Sequence, residues 1–90
     1  MATLYKTTGE IVEVHPEDKT FTLAELQKLV GGLIELVHTH DGKDMYINEE
    51  GKLQMKHAYN ELATREYENN HIDMIVGDAV VCEYDEIDHG

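Results

Sequence analysis

The stretch FTLAELQKLVGGLIELVHTHDG, residues 21 to 42, constrains the fold more than any other part of the chain. Thr22 followed three residues later by Glu25 is the pattern of a capping box, in which hydroxyl and carboxylate satisfy reciprocal orphan amides at a helix start. Phe21 and Leu26 stand at the staple positions around that cap. Leu23, Leu26, Leu29 and Val30 share one helical face, and Gly31 falls where a helix end favours a left-handed residue. The spacing predicts a helix over 23–30. From Leu33 the pattern becomes that of a strand, LIELVHTH, ending in Asp41-Gly42, a dipeptide favoured in tight hairpin turns, with DMYIN as the returning strand.

The remaining segments extend this alternation. GEIVEV at 9–14 reads as a half-buried strand, and residues 3–6 either extend it or form a short strand of their own. HPEDK at 15–19 is a turn, because Pro16 keeps His15 out of helical conformation. NEEG at 48–51 is a further turn. Asn60 is a good N-cap for a second helix to about Glu68, with Leu62, Ala63 and Tyr67 facing inward. DMIVGDAVVCEY at 73–84 is the last strand, with Gly77 suggesting a bulge or a close backbone approach. The expected fold is α+β: one small two-layer domain over 1–90, with a mostly antiparallel sheet of about four strands and two helices, in the order β-α-β-β-α-β. A split βαβ arrangement is one solution. Residues 83–90 read as an acidic tail.

Charge is the strongest compositional signal. The chain has 19 acids against 7 bases and a net charge of −12 over 90 residues. Residues 46–90 hold 11 of the acids and 3 of the bases, so the excess lies in that half. Direct nucleic-acid binding is disfavoured, since phosphate affinity comes from Lys and Arg. A basic partner surface would be attracted and steered. No apolar run approaches the ~20 residues of a membrane helix. With a single cysteine, Cys82, the chain can form neither an intrachain disulfide nor a thiolate cluster of its own. A cytoplasmic setting fits these features.

Chemistry-bearing motifs are sparse. His38 and His40, two apart on the expected strand, point to one face beside Asp41, but a metal site needs three or four ligands, and His15, His57, His71 and His89 are scattered. Their simpler reading is decoration of a hairpin end. Cys82 lies in an apolar strand and reads as a structural thiol, and the chain contains no serine. Gly31 and Gly32 follow a helix, whereas phosphate cradles place glycines before one. No catalytic residue, metal or cofactor is expected.

Several pieces together resemble a small domain-of-unknown-function family common in phages and other mobile elements of bacteria: FTLAELQKLVGGLIE at 21–35, NEEGKL at 48–53, NELAT at 60–64 and IVGDAVV at 75–81. The resemblance implies a viral or mobile-element protein in a bacterial host cell. Small acidic proteins of that setting often block a host defence enzyme. On this expectation Glu49, Glu50, Glu61, Glu66, Glu68, Glu83, Asp85 and Glu86 form the partner-binding surface, their carboxylates imitating nucleic-acid phosphates in the basic groove of a nuclease or other defence protein. Solubility alone also explains such a surface. Two rival readings are a binding module for a nucleotide-like signal, in one form with its pocket between subunits of a homo-oligomer, and a structural accessory protein. An anionic ligand would have to use Lys6, Lys19, Lys28, Lys43, Lys52, Lys56, Arg65 or backbone amides.

Overall fold

The computed structural model describes residues 2–52 and 58–89. Leu53, Lys56 and His57 lie outside the described residues. Strands β1 (Ala2–Tyr5) and β2 (Ile11–Val14) are followed by helix α1 (Leu23–Val30), strands β3 (Ile34–His38) and β4 (Asp44–Asn48), helix α2 (Glu61–Glu66) and strand β5 (Ala79–Cys82). A short 3-10 helix, Tyr84–Glu86, comes last. The strands form one antiparallel sheet in the order β2-β1-β5-β4-β3. The fold is therefore α+β with an antiparallel sheet, in the order β-β-α-β-β-α-β.

Residues 2–5 make a separate strand because Gly9, at φ 93°, turns the chain back. The turn is closed by Lys6 N–H on the Glu10 carbonyl at 2.9 Å. The last strand is also shorter than 73–84. Gly77, at φ 89°, precedes β5 rather than bulging within it, and its N–H donates to the Ala58 carbonyl at 2.8 Å. The split βαβ solution does not apply, since all four strand pairings are antiparallel, whereas a βαβ unit joins parallel strands.

Helix α1 is built as its sequence dictates. Thr22 Oγ1 accepts from Glu25 N–H at 3.2 Å, Glu25 Oε1 accepts from Thr22 N–H at 2.9 Å, and Gly31 takes φ 82° with its N–H on the Gln27 carbonyl. Phe21 and Leu26, the staple pair, are both buried in one cluster. Leu23 departs from the expected inward face and is 59% exposed, although Leu26, which closes the same turn, is buried.

Strand alternation divides the core in two. One face of the sheet, with Leu4, Tyr46, Val80 and Cys82, packs under Leu26 and Val30 of α1. The other, with Met45, Ala79 and Val81, packs against Ala63, Tyr67 and Ile75. The helices thus cover opposite faces, so the domain has three layers rather than the expected two. In α2 the buried residues are Ala63 and Thr64, with Tyr67 buried at its C-cap, while Leu62 is only half-buried. Asn60 caps the helix as expected, with its Oδ1 accepting from Ala63 N–H at 3.0 Å.

Residues 83–89 dock instead of trailing. Phe21 N–H donates to the Glu86 carbonyl at 2.8 Å, and Asp88 N–H donates to the Phe21 carbonyl at 2.9 Å. Ile87 is buried in the α1 cluster by that pairing.

Candidate functional site

The antiparallel register sorts the acidic residues by position. His38 opposite Asp44, and Asp44 opposite Cys82, bring the C-terminal ends of β3 and β5 to the start of β4. Glu83, Asp85 and Glu86 follow directly from that end of β5. Glu66 and Glu68 reach the same end from the other face, because Thr39 and Tyr67 are bridge partners. Glu49 and Glu50 lie beyond the opposite end of β4. Glu61 begins α2 beside Asn60, whose side chain donates to the carbonyls of Tyr5 and Gly77, away from the hairpin end. The fold brings Glu66, Glu68, Glu83, Asp85 and Glu86 to one end of the sheet, and leaves Glu49, Glu50 and Glu61 elsewhere.

Several of these carboxylates have local partners. Glu61 pairs with Arg65 at 3.4 Å, one helical turn away. Glu66 Oε2 is 3.4 Å from His40 Nε2, and Glu68 Oε2 is 4.0 Å from His38 Nδ1. Glu86 Oε1 accepts from Glu83 N–H at 2.8 Å, closing a capping box around the 3-10 helix. Glu49, Glu50 and Asp85 are exposed. Glu50 N–H donates to Asn48 Oδ1 at 2.8 Å, and Asn48 Nδ2 donates to the Val30 carbonyl at 3.3 Å, so the NEEG turn is tied to the end of α1.

Two residues of the hairpin end had no place in the sequence reading of the acidic surface. Asp44 is 7% exposed, and its Oδ2 has no hydrogen-bond partner among the described residues. Its Oδ1 lies 3.5 Å from His38 Nε2. Only the pairing of β3 with β4 reveals this contact, although the DGKD run places Asp44 where a polar strand start is expected. His40 lies in the turn beyond β3, so it does not share the strand face of His38. The Asp41-Gly42 turn is also wider than a two-residue hairpin: Gly42 N–H donates to the Thr39 carbonyl and Thr39 N–H to the Lys43 carbonyl, with Gly42 at φ 87°. That is a type I turn closed by a glycine bulge. The Thr39 hydroxyl holds the Asp41 carboxyl below its usual range.

Cys82 is buried, and burial together with Glu86, Asp44 and Glu83 pushes its thiol up to about 12. Such a thiol is neutral at physiological pH and is not an activated nucleophile. Tyr46, on the same face, is likewise raised to about 12 by burial and by Asp44. Among the described residues, no group of three His, Cys, Asp or Glu side chains could hold a metal ion. No helix among them is long and apolar enough to cross a membrane.

A cavity of about 100 Å³ lies between the sheet and the segment after α2, lined by Val37, Ile47, Tyr67 and Ile75 with Lys52 and Asp73 at its rim. It is smaller than the ~300 Å³ at which ligand pockets begin. A docked helix on each face, a central β1–β5–β4 unit and an acidic hairpin end define a small α+β domain built around an antiparallel sheet. Over residues 2–90 the chain matches the domain-of-unknown-function family DUF3846, and it belongs to that family. No curated protein and no solved structure matches it.

Proposed function

We propose that this chain is a non-enzymatic interaction protein of phage or mobile-element origin, which blocks a host nuclease or other defence protein by occupying its basic nucleic-acid-handling groove. The observation that carries this reading is the gathering of Glu66, Glu68, Glu83, Asp85 and Glu86 at one end of the sheet. Carboxylates held on short, hydrogen-bonded segments present negative charge without the entropy cost of ordering a loose tail. The net charge of −12 adds long-range attraction for a basic surface. Glu49, Glu50 and Glu61, away from that end, contribute to the overall field more than to contact.

The reading is tested by competition. The protein is titrated against bacterial nucleases with basic DNA-binding grooves, with a fluorescent duplex as the displaced ligand. The expected result is displacement that weakens steeply between low and high salt. Charge reversal as E66K, E68K and D85K together weakens it at least roughly tenfold, whereas E49K with E50K weakens it less. Displacement that ignores salt, or that responds equally to both sets of reversals, would defeat the assignment of the hairpin end as the contact surface.

A further inference from the structure

The end of β3 and the stretch leaving α2 run side by side. His40 N–H donates to the Glu66 carbonyl at 2.9 Å, and Glu68 N–H donates to the His38 carbonyl at 3.0 Å. The side chains repeat the pairing, His40 with Glu66 at 3.4 Å and His38 with Glu68 at 4.0 Å. His38 also has a second carboxylate. Its Nε2 lies 3.5 Å from Oδ1 of the buried Asp44 on β4. Both of its ring nitrogens therefore face carboxylate oxygens.

Only one protonation state of the ring turns an N–H toward both carboxylates. A neutral imidazole has one N–H, so it can donate to Asp44 or to Glu68 while its other nitrogen turns a lone pair toward the remaining carboxylate. An imidazolium turns an N–H toward each, 3.5 Å from Asp44 and at the ion-pair distance of 4.0 Å from Glu68. We propose that His38, with His40 beside it, is a proton-operated clasp that fastens the exit of α2 to the β3–β4 hairpin. When the imidazoles carry protons, the bridge runs from Asp44 through His38 to Glu68, and from His40 to Glu66. When they are neutral, Asp44, Glu66 and Glu68 lose their cationic partners, and Asp41 and Lys43 are the other charged groups of the turn.

The surroundings fix the direction of the effect. Asp44 is backed on β5 by Cys82 and on its own strand by Tyr46, whose acidic groups stay neutral well above physiological pH. From β1, Tyr5 faces Glu66 and Asp41, and burial together with those carboxylates keeps its phenol neutral too. The histidines are thus the groups of this cluster whose side-chain type changes charge between pH 5 and 8. The ion pairs themselves need a protonated imidazole, so they belong to the low end of that window.

The test is amide hydrogen exchange followed by NMR, with rates corrected for intrinsic base catalysis. Between pH 6 and pH 8, protection of the Glu68 and His40 amides falls roughly threefold to tenfold, the range expected of two half-exposed ion pairs. In the variant H38Q/H40Q the protection of these amides no longer depends on pH, while amides in β1 and β5 behave as in the parent. Both substituted side chains are about half exposed, so the variant keeps the fold. Ring-nitrogen shifts of His38 in the parent chain give a second readout that needs no variant. Corrected protection that is flat with pH in the parent, or ring nitrogens that titrate while the Glu68 amide shift stays still, overturns the clasp.

Discussion

Asn60 is joined to Gly77 across the core: its Nδ2 donates to the Gly77 carbonyl at 2.9 Å, and the same amide nitrogen donates to the Tyr5 carbonyl at 2.8 Å. Its Oδ1 meanwhile caps α2 through Ala63 N–H, and its backbone carbonyl accepts from the Thr64 hydroxyl at 2.7 Å. One fully buried side chain thus holds a helix start, the end of β1 and the approach to β5. Asn60→Ala strands one buried and one part-buried carbonyl and uncaps the helix, so it is expected to cost about 3 kcal/mol. Asn60→Asp keeps the cap but aims a carboxylate oxygen at two carbonyls, so at neutral pH it should be at least as damaging as the alanine. Urea denaturation of the two variants checks that order, and an aspartate variant nearer to the parent would show that the cap outweighs the donated bonds.

The docking of residues 83–89 makes a second prediction. Ile87 is buried in the α1 cluster beside Phe21, while Asp85, two residues earlier, is exposed. Ile87→Ala should therefore destabilise by about 2–4 kcal/mol. Asp85→Lys should stay within about 0.5 kcal/mol, since it is a surface substitution away from the core. Thermal unfolding of both variants separates a docked segment from a loose acidic tail, for which the two changes would be equally harmless.

What the sequence revealed follows the range of each interaction. Thr22, Glu25 and Gly31 bond within a few residues of themselves, so the start and end of α1 were legible from spacing alone. Asn60 was legible as a cap but not as a link to Tyr5 and Gly77, because those partners are 55 and 17 residues away. The place of β5 between β1 and β4 was hidden for the same reason. The acidic residues were visible as a composition, but their division between two ends of the sheet depends on strand register. His38 looked like decoration because its partners, Asp44 and Glu68, meet it only once β3 has paired with β4 and its end with the segment leaving α2.

Two glycines are expected to differ sharply in tolerance. At Gly31 a Cβ would meet nothing within 4 Å, so Gly31→Ala carries only the cost of a left-handed φ of 82°, about 1 kcal/mol. At Gly51 a Cβ would stand 2.6 Å from the Val76 carbonyl oxygen and 3.3 Å from that of Asn48. Backbone on both sides leaves no flexible side chain to yield, so Gly51→Ala should cost more, about 2–3 kcal/mol. Denaturation midpoints of the pair decide the matter. Equal losses would mean that the segment after β4 shifts away from Val76 without penalty.

Alkaline conditions should destabilise the fold through Cys82 and Tyr46. The thiol is raised from 9.0 to about 12 by burial and by Glu86, Asp44 and Glu83, and the phenol from 10.0 to about 12 by burial, Asp44 and Cys82. In both cases the folded state holds its proton more tightly than the unfolded chain. The resulting stability is fully present below the unfolded pKa and is lost as pH rises through the interval from about 9 to 12. Within it the unfolded chain has released protons that the folded chain retains, so each group contributes a downward slope of up to ~1.4 kcal/mol per pH unit. Urea denaturation at pH 8, 9, 10 and 11 measures that slope. Cys82→Val, close in volume and unable to ionise, should make it shallower from pH 9 upward while leaving stability at pH 7 little changed. The same neutral, buried thiol should react with a disulfide reagent only after unfolding, so that labelling at pH 8 follows the fraction unfolded in urea. Rapid labelling of the native chain, or an alkaline slope unaltered in Cys82→Val, would show that the thiol is neither as buried nor as weakly acidic as its setting between Asp44 and Glu86 requires.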